Sequence, residues 1–290
     1  MTIVYYEGRF LPEAEALLPI SDRGFQHGDG VYATIQVREG VPLFFKSHYK
    51  QLQAQCRAFH LDMPPFEEGV VDALIQHNRA LEGIWRMKIF VTGGDSPENR
   101  LPERQGRVLI VLKPFVPLPF KPLSLGIFPI PYWSCHASFK SLAHLNRFYV
   151  MEEAHKQGVD DCITLTESGH VLEASFGNLI WVREKTVFTP DPSLPIYFGV
   201  TVRNVVGIAQ ELGFQIAYSR APLSEIPYDS VAFRTNTMQG VRPIAQIGER
   251  AFPFNPTLQT VFVNGYEELV RSQIESYGQK KAALPEVKCR

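Results

Sequence analysis

The sequence predicts an α/β protein of two domains, and three observations predict it. Strand-like runs of branched and apolar residues alternate with segments of helical period along the whole chain. A proline-dense stretch interrupts that alternation near its middle. A length of 290 residues suits two domains of ordinary size or one large one, and the interruption favours two.

The elements follow in order. "VYATIQV" and "VPLFF" flank Glu39 and Gly40, the pattern of a hairpin with a two-residue turn. "KSHYKQLQAQCRAFHL" then places Tyr49, Leu52, Cys56 and Phe59 at spacings of three and four, one face of a helix. "WRMKIFVT" and "RVLIVLK" have the branched, apolar character of buried strands. "PFVPLPFKP", Pro114 to Pro122, can continue neither a helix nor a central strand, so we place the domains at 1–115 and 123–290 with a linker at 116–122. "LNRFYVMEEAHKQG" reads as a helix capped by Gly158, "DCITLT" as a strand, and "ESGHVLEASFGNLIWV" as a turn with a return into strand. "GVTVRNVVGIAQELGF" sets Val202, Val205, Val206 and Ala209 on one helical face directly after Gly199. The last twelve residues, "QKKAALPEVKCR", are expected to fray.

Composition narrows the function. A net charge of -1 offers no basic field for nucleic acid. The start lacks a basic segment followed by an apolar run, and no eighteen apolar residues occur together, so we expect neither a signal peptide nor a membrane span, and a cytoplasmic location. Cys56, Cys135, Cys162 and Cys289 show no CxxC pairing and no histidine at metal-ligand spacing; all four are expected to be free thiols, with no metal. Neither a G-x-G-x-x-G nor a G-x-S-x-G occurs in a strand-to-helix context, which argues against a dinucleotide site and a serine hydrolase. "GDG" at 28–30 marks a tight turn where backbone and a ligand approach closely.

One stretch carries chemistry. In "SCHASFKSLAHLNRFYV" Lys140 has no acidic residue within ten positions on either side, amid small, aromatic and apolar neighbours. Most lysines are solvated, but one whose burial lowers its pKa becomes a base or a Schiff-base former. Glu173 in "VLEAS" has apolar flanks, and a buried carboxylate needs a cationic or hydrogen-bonding partner. Val200 and Thr201 open a helix, where backbone N–H groups and the dipole favour an anion. Thr237 in "RTNTMQG" adds a hydroxyl at a strand-to-loop transition. An amine, a carboxylate for a pyridine nitrogen and a phosphate seat are together what pyridoxal 5'-phosphate requires.

The motifs "SDRGFQHGDGVY", "KSL" followed by "EEAHKQG", "VLEASFGN", "GVT" and "TNTMQGVRPI" resemble, in order and over almost the whole chain, the fold-type IV pyridoxal-phosphate enzymes. That family includes branched-chain and D-amino acid aminotransferases and 4-amino-4-deoxychorismate lyase. The resemblance implies a D-amino acid aminotransferase-like two-domain fold, a homodimer and a small-molecule amine substrate. It makes Lys140 the Schiff-base lysine, Glu173 the pyridine-nitrogen partner, Val200, Thr201 and Thr237 phosphate contacts, and Tyr32 a residue of the substrate side. Three positions depart from the pattern. Gln51 stands where the family helix carries a phosphate-binding arginine, which implies weaker cofactor retention or a substitute cation such as His48 or Arg203. Ala33, which the resemblance puts on the substrate side with Tyr32, stands where aminotransferases carry a glutamate, and Gly93 in "VTGGD" where many place an arginine that recognises a carboxylate. Together with "HLNR" and "TNTMQGVRP", similar to the lyase branch, these departures favour a lyase that makes 4-aminobenzoate and pyruvate for folate synthesis. An aminotransferase of D- or branched-chain amino acids is the second reading. A catalytically silent binding protein of the same fold is the third.

Overall fold

The computed structural model describes residues 1–95, 104–132, 134 and 136–283. In chain order the first part comprises β1 (Ile3–Tyr6), β2 (Arg9–Pro12), α1 (Arg23–His27), β3 (Gly30–Arg38), β4 (Val41–Pro42), α2 (Phe45–Ala58), β5 (Leu61–Asp62), α3 (Glu68–His77), β6 (Ile84–Thr92), β7 (Arg104–Gln105) and β8 (Arg107–Pro114). Six of these strands form an antiparallel sheet in the order β2-β1-β8-β6-β3-β4. Strand alternation decides what β3 offers to each side. Val31, Ala33, Ile35 and Val37 enter a core with Leu52 and Cys56 of α2 and Val71 and Leu74 of α3. Tyr32, Thr34 and Gln36 face the other way, and Gln36 reaches the carbonyl of Met238 at 3.2 Å.

The hairpin at Glu39 and Gly40 has both residues at positive φ, 51° and 74°, the twist that a two-residue turn between right-twisted strands demands. Its second strand is shorter than "VPLFF". Phe44 adopts φ 52°, which turns the chain directly into α2 after only Val41 and Pro42.

Residues 115–122 carry no helix or strand and connect the first sheet to a second. The second part comprises β9 (Leu123–Ile127), α4 (Leu145–Gln157), β10 (Asp161–Leu165), β11 (Val171–Ala174), β12 (Asn178–Arg183), β13 (Thr186–Pro190), α5 (Val200–Glu211), β14 (Gln215–Ser219), β15 (Val231–Asn236), β16 (Gly240–Ile247), β17 (Arg250–Ala251), α6 (Pro256–Gln259) and α7 (Gly265–Ala283). Eight strands run β11-β10-β9-β16-β15-β12-β13-β14, and β17 pairs with β16. The apolar face of α5 packs Val202, Val205, Val206 and Ala209 against Ile180, Phe233 and Phe262. Gly158 caps α4 in the left-handed conformation at φ 68°.

The first five of the twelve residues expected to fray are helical. Helix α7 runs through Ala283, because Gln279, the two lysines and the two alanines are good helix formers; residues 284–290 lie outside the described residues. This helix braces the two parts. Glu267 pairs with Arg38 at 2.7 Å, Gln273 accepts from the N–H of Phe44 at 3.1 Å, and the Tyr277 hydroxyl meets Asp72. Cys56 and Cys162 are free and buried, while Cys135 and Cys289 fall outside the described residues. Among the described residues, no helix is long and apolar enough to cross a membrane.

Candidate active site

Lys140 is held by its backbone before its side chain is considered. The N–H of Tyr32 donates to the Lys140 carbonyl at 2.8 Å, the N–H of Leu142 donates to Gly30 O at 3.0 Å, and Val31 and Ser141 form an antiparallel bridge. Gly30 permits this approach, since a Cβ there would lie 2.4 Å from Val91 O and 2.6 Å from Leu142 Cδ1. The close approach at "GDG" is thus made by the lysine segment. From the other side, the Lys140 N–H donates to Gln55 Oε1 on α2 at 2.6 Å.

The segment delivers the Lys140 amine into a cleft between the two sheets. Its Nζ lies 5.1 Å from the centre of the Tyr32 ring and 5.3 Å from that of Tyr197. Burial, and after it the neighbouring Arg147 guanidinium, bring the amine down to about 7 against the pull of Glu173. Glu173, at the inner end of β11, is only 5% exposed. Its Oε1 receives Arg147 Nη2 at 3.1 Å, and its Oε2 receives Asn178 Nδ2 at 3.3 Å and the Tyr197 N–H at 3.2 Å. Burial still pushes this carboxyl up to about 7, with Arg147 the chief opposing influence.

At the opposite wall α5 begins. Val200 and Thr201 line the cleft, and the first N–H groups of a helix have no partner within it. Asn178 Oδ1 accepts from the Gly199 N–H at 3.1 Å and fixes the entry to this turn. Thr235, Asn236 and Thr237 close the same wall, and the buried Thr235 Oγ1 has no hydrogen-bond partner. A helix start, an unpartnered buried hydroxyl, a neutralisable amine and a buried carboxylate fit the phosphate, aldehyde and pyridine nitrogen of pyridoxal phosphate.

The cleft therefore brings together Lys140, Glu173, Val200, Thr201, Thr237 and Tyr32. Gln51 and Ala33 stand apart from it. The Gln51 amide donates to Phe198 O at 2.9 Å, and its Oε1 is buried without a partner. Ala33 is 4% exposed in the core beneath β3, on the face away from Tyr32, so its identity removes nothing from the substrate side. Of the two candidate substitute cations, His48 lines the cleft, and burial followed by Lys140 lowers it to about 3. Arg203 instead donates to Phe198 O at 3.2 Å and lies over the Phe198 ring at 4.9 Å. Reading the sequence missed Arg147, Asn178, Tyr197 and Thr235, and two further basic groups beside Tyr32. Lys88 Nζ lies 5.6 Å from that ring, and the His144 ring lies 4.5 Å from it with Nε2 buried and unpartnered. The period-two pattern of "WRMKIFVT" sets Lys88 on the face opposite Met87, Ile89 and Val91, and the register pairs it with Thr34 on the face of Tyr32.

A lysine and a carboxylate facing a helix start across a two-sheet cleft define a cofactor-dependent enzyme site of the pyridoxal-phosphate kind. The chain belongs to the amino-transferase class IV family, whose sequence model matches residues 30–247 and whose members use that cofactor. It is 25% identical over 258 residues to an aminodeoxychorismate lyase of Bacillus subtilis, covering 85% of this chain and 87% of that one. It is equally 25% identical, over 287 residues, to a D-alanine aminotransferase of Listeria innocua, covering 93% and 96%. The fold matches the crystal structure of a branched-chain aminotransferase from Thermoproteus uzoniensis with a TM-score of 0.85 at 23% identity, over 95% of this chain and 97% of that one.

Proposed function

We propose that this chain is a 4-amino-4-deoxychorismate lyase, releasing pyruvate and leaving 4-aminobenzoate for folate synthesis. The observation that carries the reading is Gly93. The aminotransferase pattern puts an arginine there, whereas this chain offers no side chain at the position, and a Cβ would lie 2.7 Å from Asp29 Oδ2 and 3.2 Å from Arg23 Cβ, so a larger residue would have to displace the Asp29 carboxylate. Ala33 no longer contributes to the choice, because it faces the core.

Bound pyridoxal phosphate supplies an electron sink for charge developing beside the substrate amine. Lys140 would be the point of covalent attachment, and its free amine would serve as the base. With its pKa lowered to about 7 it can take the proton from the amine-bearing carbon at neutral pH. Glu173, fixed by Arg147, Asn178 and the Tyr197 N–H, is positioned by this reading to hold a proton on the pyridine nitrogen. The first turn of α5 with Thr235 and Thr237 would seat the phosphate, with His48 beside them. Loss of the enolpyruvyl group then gives an aromatic ring without any second substrate.

The second reading, an aminotransferase of D- or branched-chain amino acids, is favoured by the equal identity to the D-alanine aminotransferase. We further propose the domain boundaries 1–115 and 123–290, a cytoplasmic location, and a homodimer. Leu145, Phe148 and Tyr149, exposed on α4 at 65%, 55% and 53%, support an apolar contact there. One assay separates the two reactions. Aminodeoxychorismate supplied without any keto acid should yield 4-aminobenzoate over many turnovers, and D- or L-amino acids should leave the visible absorbance of the bound cofactor unchanged. Stoichiometric bleaching by an amino acid, reversed by a keto acid and without aminobenzoate, overturns the lyase.

A further inference from the structure

We propose that Arg147 is a positioning residue that fixes two charges in the cleft at once, keeping Glu173 a carboxylate and favouring the neutral amine of Lys140. The inference rests on the reading of Glu173 as the partner of the pyridine nitrogen and assigns a group that controls it. Arg147 is the third residue of α4, and its side chain is 15% exposed. Three contacts fix its guanidinium over the turn that follows β11. Nη1 donates to Ser175 O at 2.6 Å, Nη2 donates to Glu173 Oε1 at 3.1 Å, and the group lies 5.8 Å from the centre of the Phe176 ring.

A carboxylate this deeply buried protonates unless a cation or several donors compensate the lost water. Asn178 and the Tyr197 N–H supply two neutral donors to Oε2, and Arg147 supplies the charge to Oε1. The groups facing Glu173 come from several elements: Arg147 from α4, Lys140 from the segment before it, Tyr32 from β3, Tyr132 after β9 and Tyr197 before α5. Burial raises all three phenols, so they stay neutral at physiological pH. Among the described residues, the cations facing this carboxylate are therefore Arg147 and Lys140. Lys140 must be neutral to act as a base, and a nearby guanidinium disfavours its ammonium form. One side chain thus satisfies two opposite demands. A neutral residue at 147 would relax both.

Carbon NMR of the cofactor-free protein, with glutamate side-chain carboxyls labelled and Glu173 assigned by its loss in Glu173→Gln, tests the proposal without any turnover. In the wild type the Glu173 signal at pH 7.5 should be that of a carboxylate. In Arg147→Gln, which can still donate to Ser175 O, its midpoint should rise by about one pH unit or more. The pH midpoint for capture of added pyridoxal 5'-phosphate by Lys140 should rise in parallel. Arg147→Lys, which keeps the charge, should restore both midpoints most of the way. A protonated Glu173 in the wild type at pH 7.5 overturns the proposal with no variant needed, as does an unmoved midpoint in a folded Arg147→Gln. If Glu173 shifts as expected but Lys140 never captures the cofactor, the proposed enzyme function falls and the charge relation stands. Capture with an unmoved Glu173 does the reverse.

Discussion

Tyr32 and Lys140 are joined twice: the Tyr32 N–H donates to the lysine carbonyl at 2.8 Å, and the Tyr32 ring centre lies 5.1 Å from the lysine amine. Strand β3 thereby sets both the height of the lysine segment and one wall around its side chain. Gly30 makes that docking possible. Gly30→Ala should displace Leu142 and with it Lys140, costing about 1–3 kcal/mol from overpacking. Urea denaturation would measure the loss, and cofactor content after purification should drop with it. Wild-type stability and full occupancy would show that the segment tolerates the added methyl.

Lys140→Ala should abolish covalent capture of pyridoxal phosphate while leaving the circular dichroism spectrum unchanged. In the wild type, capture needs the unprotonated amine, and burial places the amine near 7. The rate should therefore climb as pH rises through about 7 and level off above it. A rate still rising towards the pH range of ordinary lysines would mean that the amine is not desolvated.

Gln51→Arg should tighten cofactor binding, by on the order of 1 kcal/mol, because a charged fork replaces an amide that is turned to Phe198 O. Titration of the cofactor-free protein gives the two affinities. Unchanged affinity would show that another contact already fills the role; His48, neutral because burial lowers it to about 3, would then serve as a hydrogen-bonding imidazole, and His48→Leu in the Gln51 background should weaken binding.

Arg234→Met should destabilise the second sheet strongly. Asp161, 4% exposed, holds Arg234 Nη1 at 2.9 Å and also accepts from the N–H groups of Cys162 and Ser175 at 2.8 and 3.2 Å. Leaving that carboxylate without its cation costs about 3–5 kcal/mol. Chemical denaturation would detect it, and a loss under 1 kcal/mol would show that water reaches the pair.

What the sequence made legible is local, and what it hid is paired across elements. Glu39-Gly40, Gly158 and Gly199-Val200 announced a turn, a cap and a helix start because each is decided by neighbouring residues. Lys140 stood out by the absence of acids around it. The family pattern assigns Ala33 to the substrate side, yet it faces the core, because consecutive strand residues face opposite ways and only Tyr32 points to the cleft. Arg147 on Glu173 and Arg234 on Asp161 link residues 26 and 73 positions apart. Gln51 meets a carbonyl 147 positions away. No period or motif records such pairings.

The Gln55 contact to the Lys140 backbone spans 85 positions, and the bridge to Val31 crosses the linker as well. Both belong to the slow class of long-range closures, made after the local strands and helices exist. A chain still leaving the ribosome thus displays an ordinary, solvated lysine at this position, mostly protonated and slow towards aldehydes. Only when the halves have docked does that amine acquire its lowered basicity. Reactivity at residue 140 is a property of the completed fold, and the fraction of chains that trap an aldehyde there reports how many have finished folding.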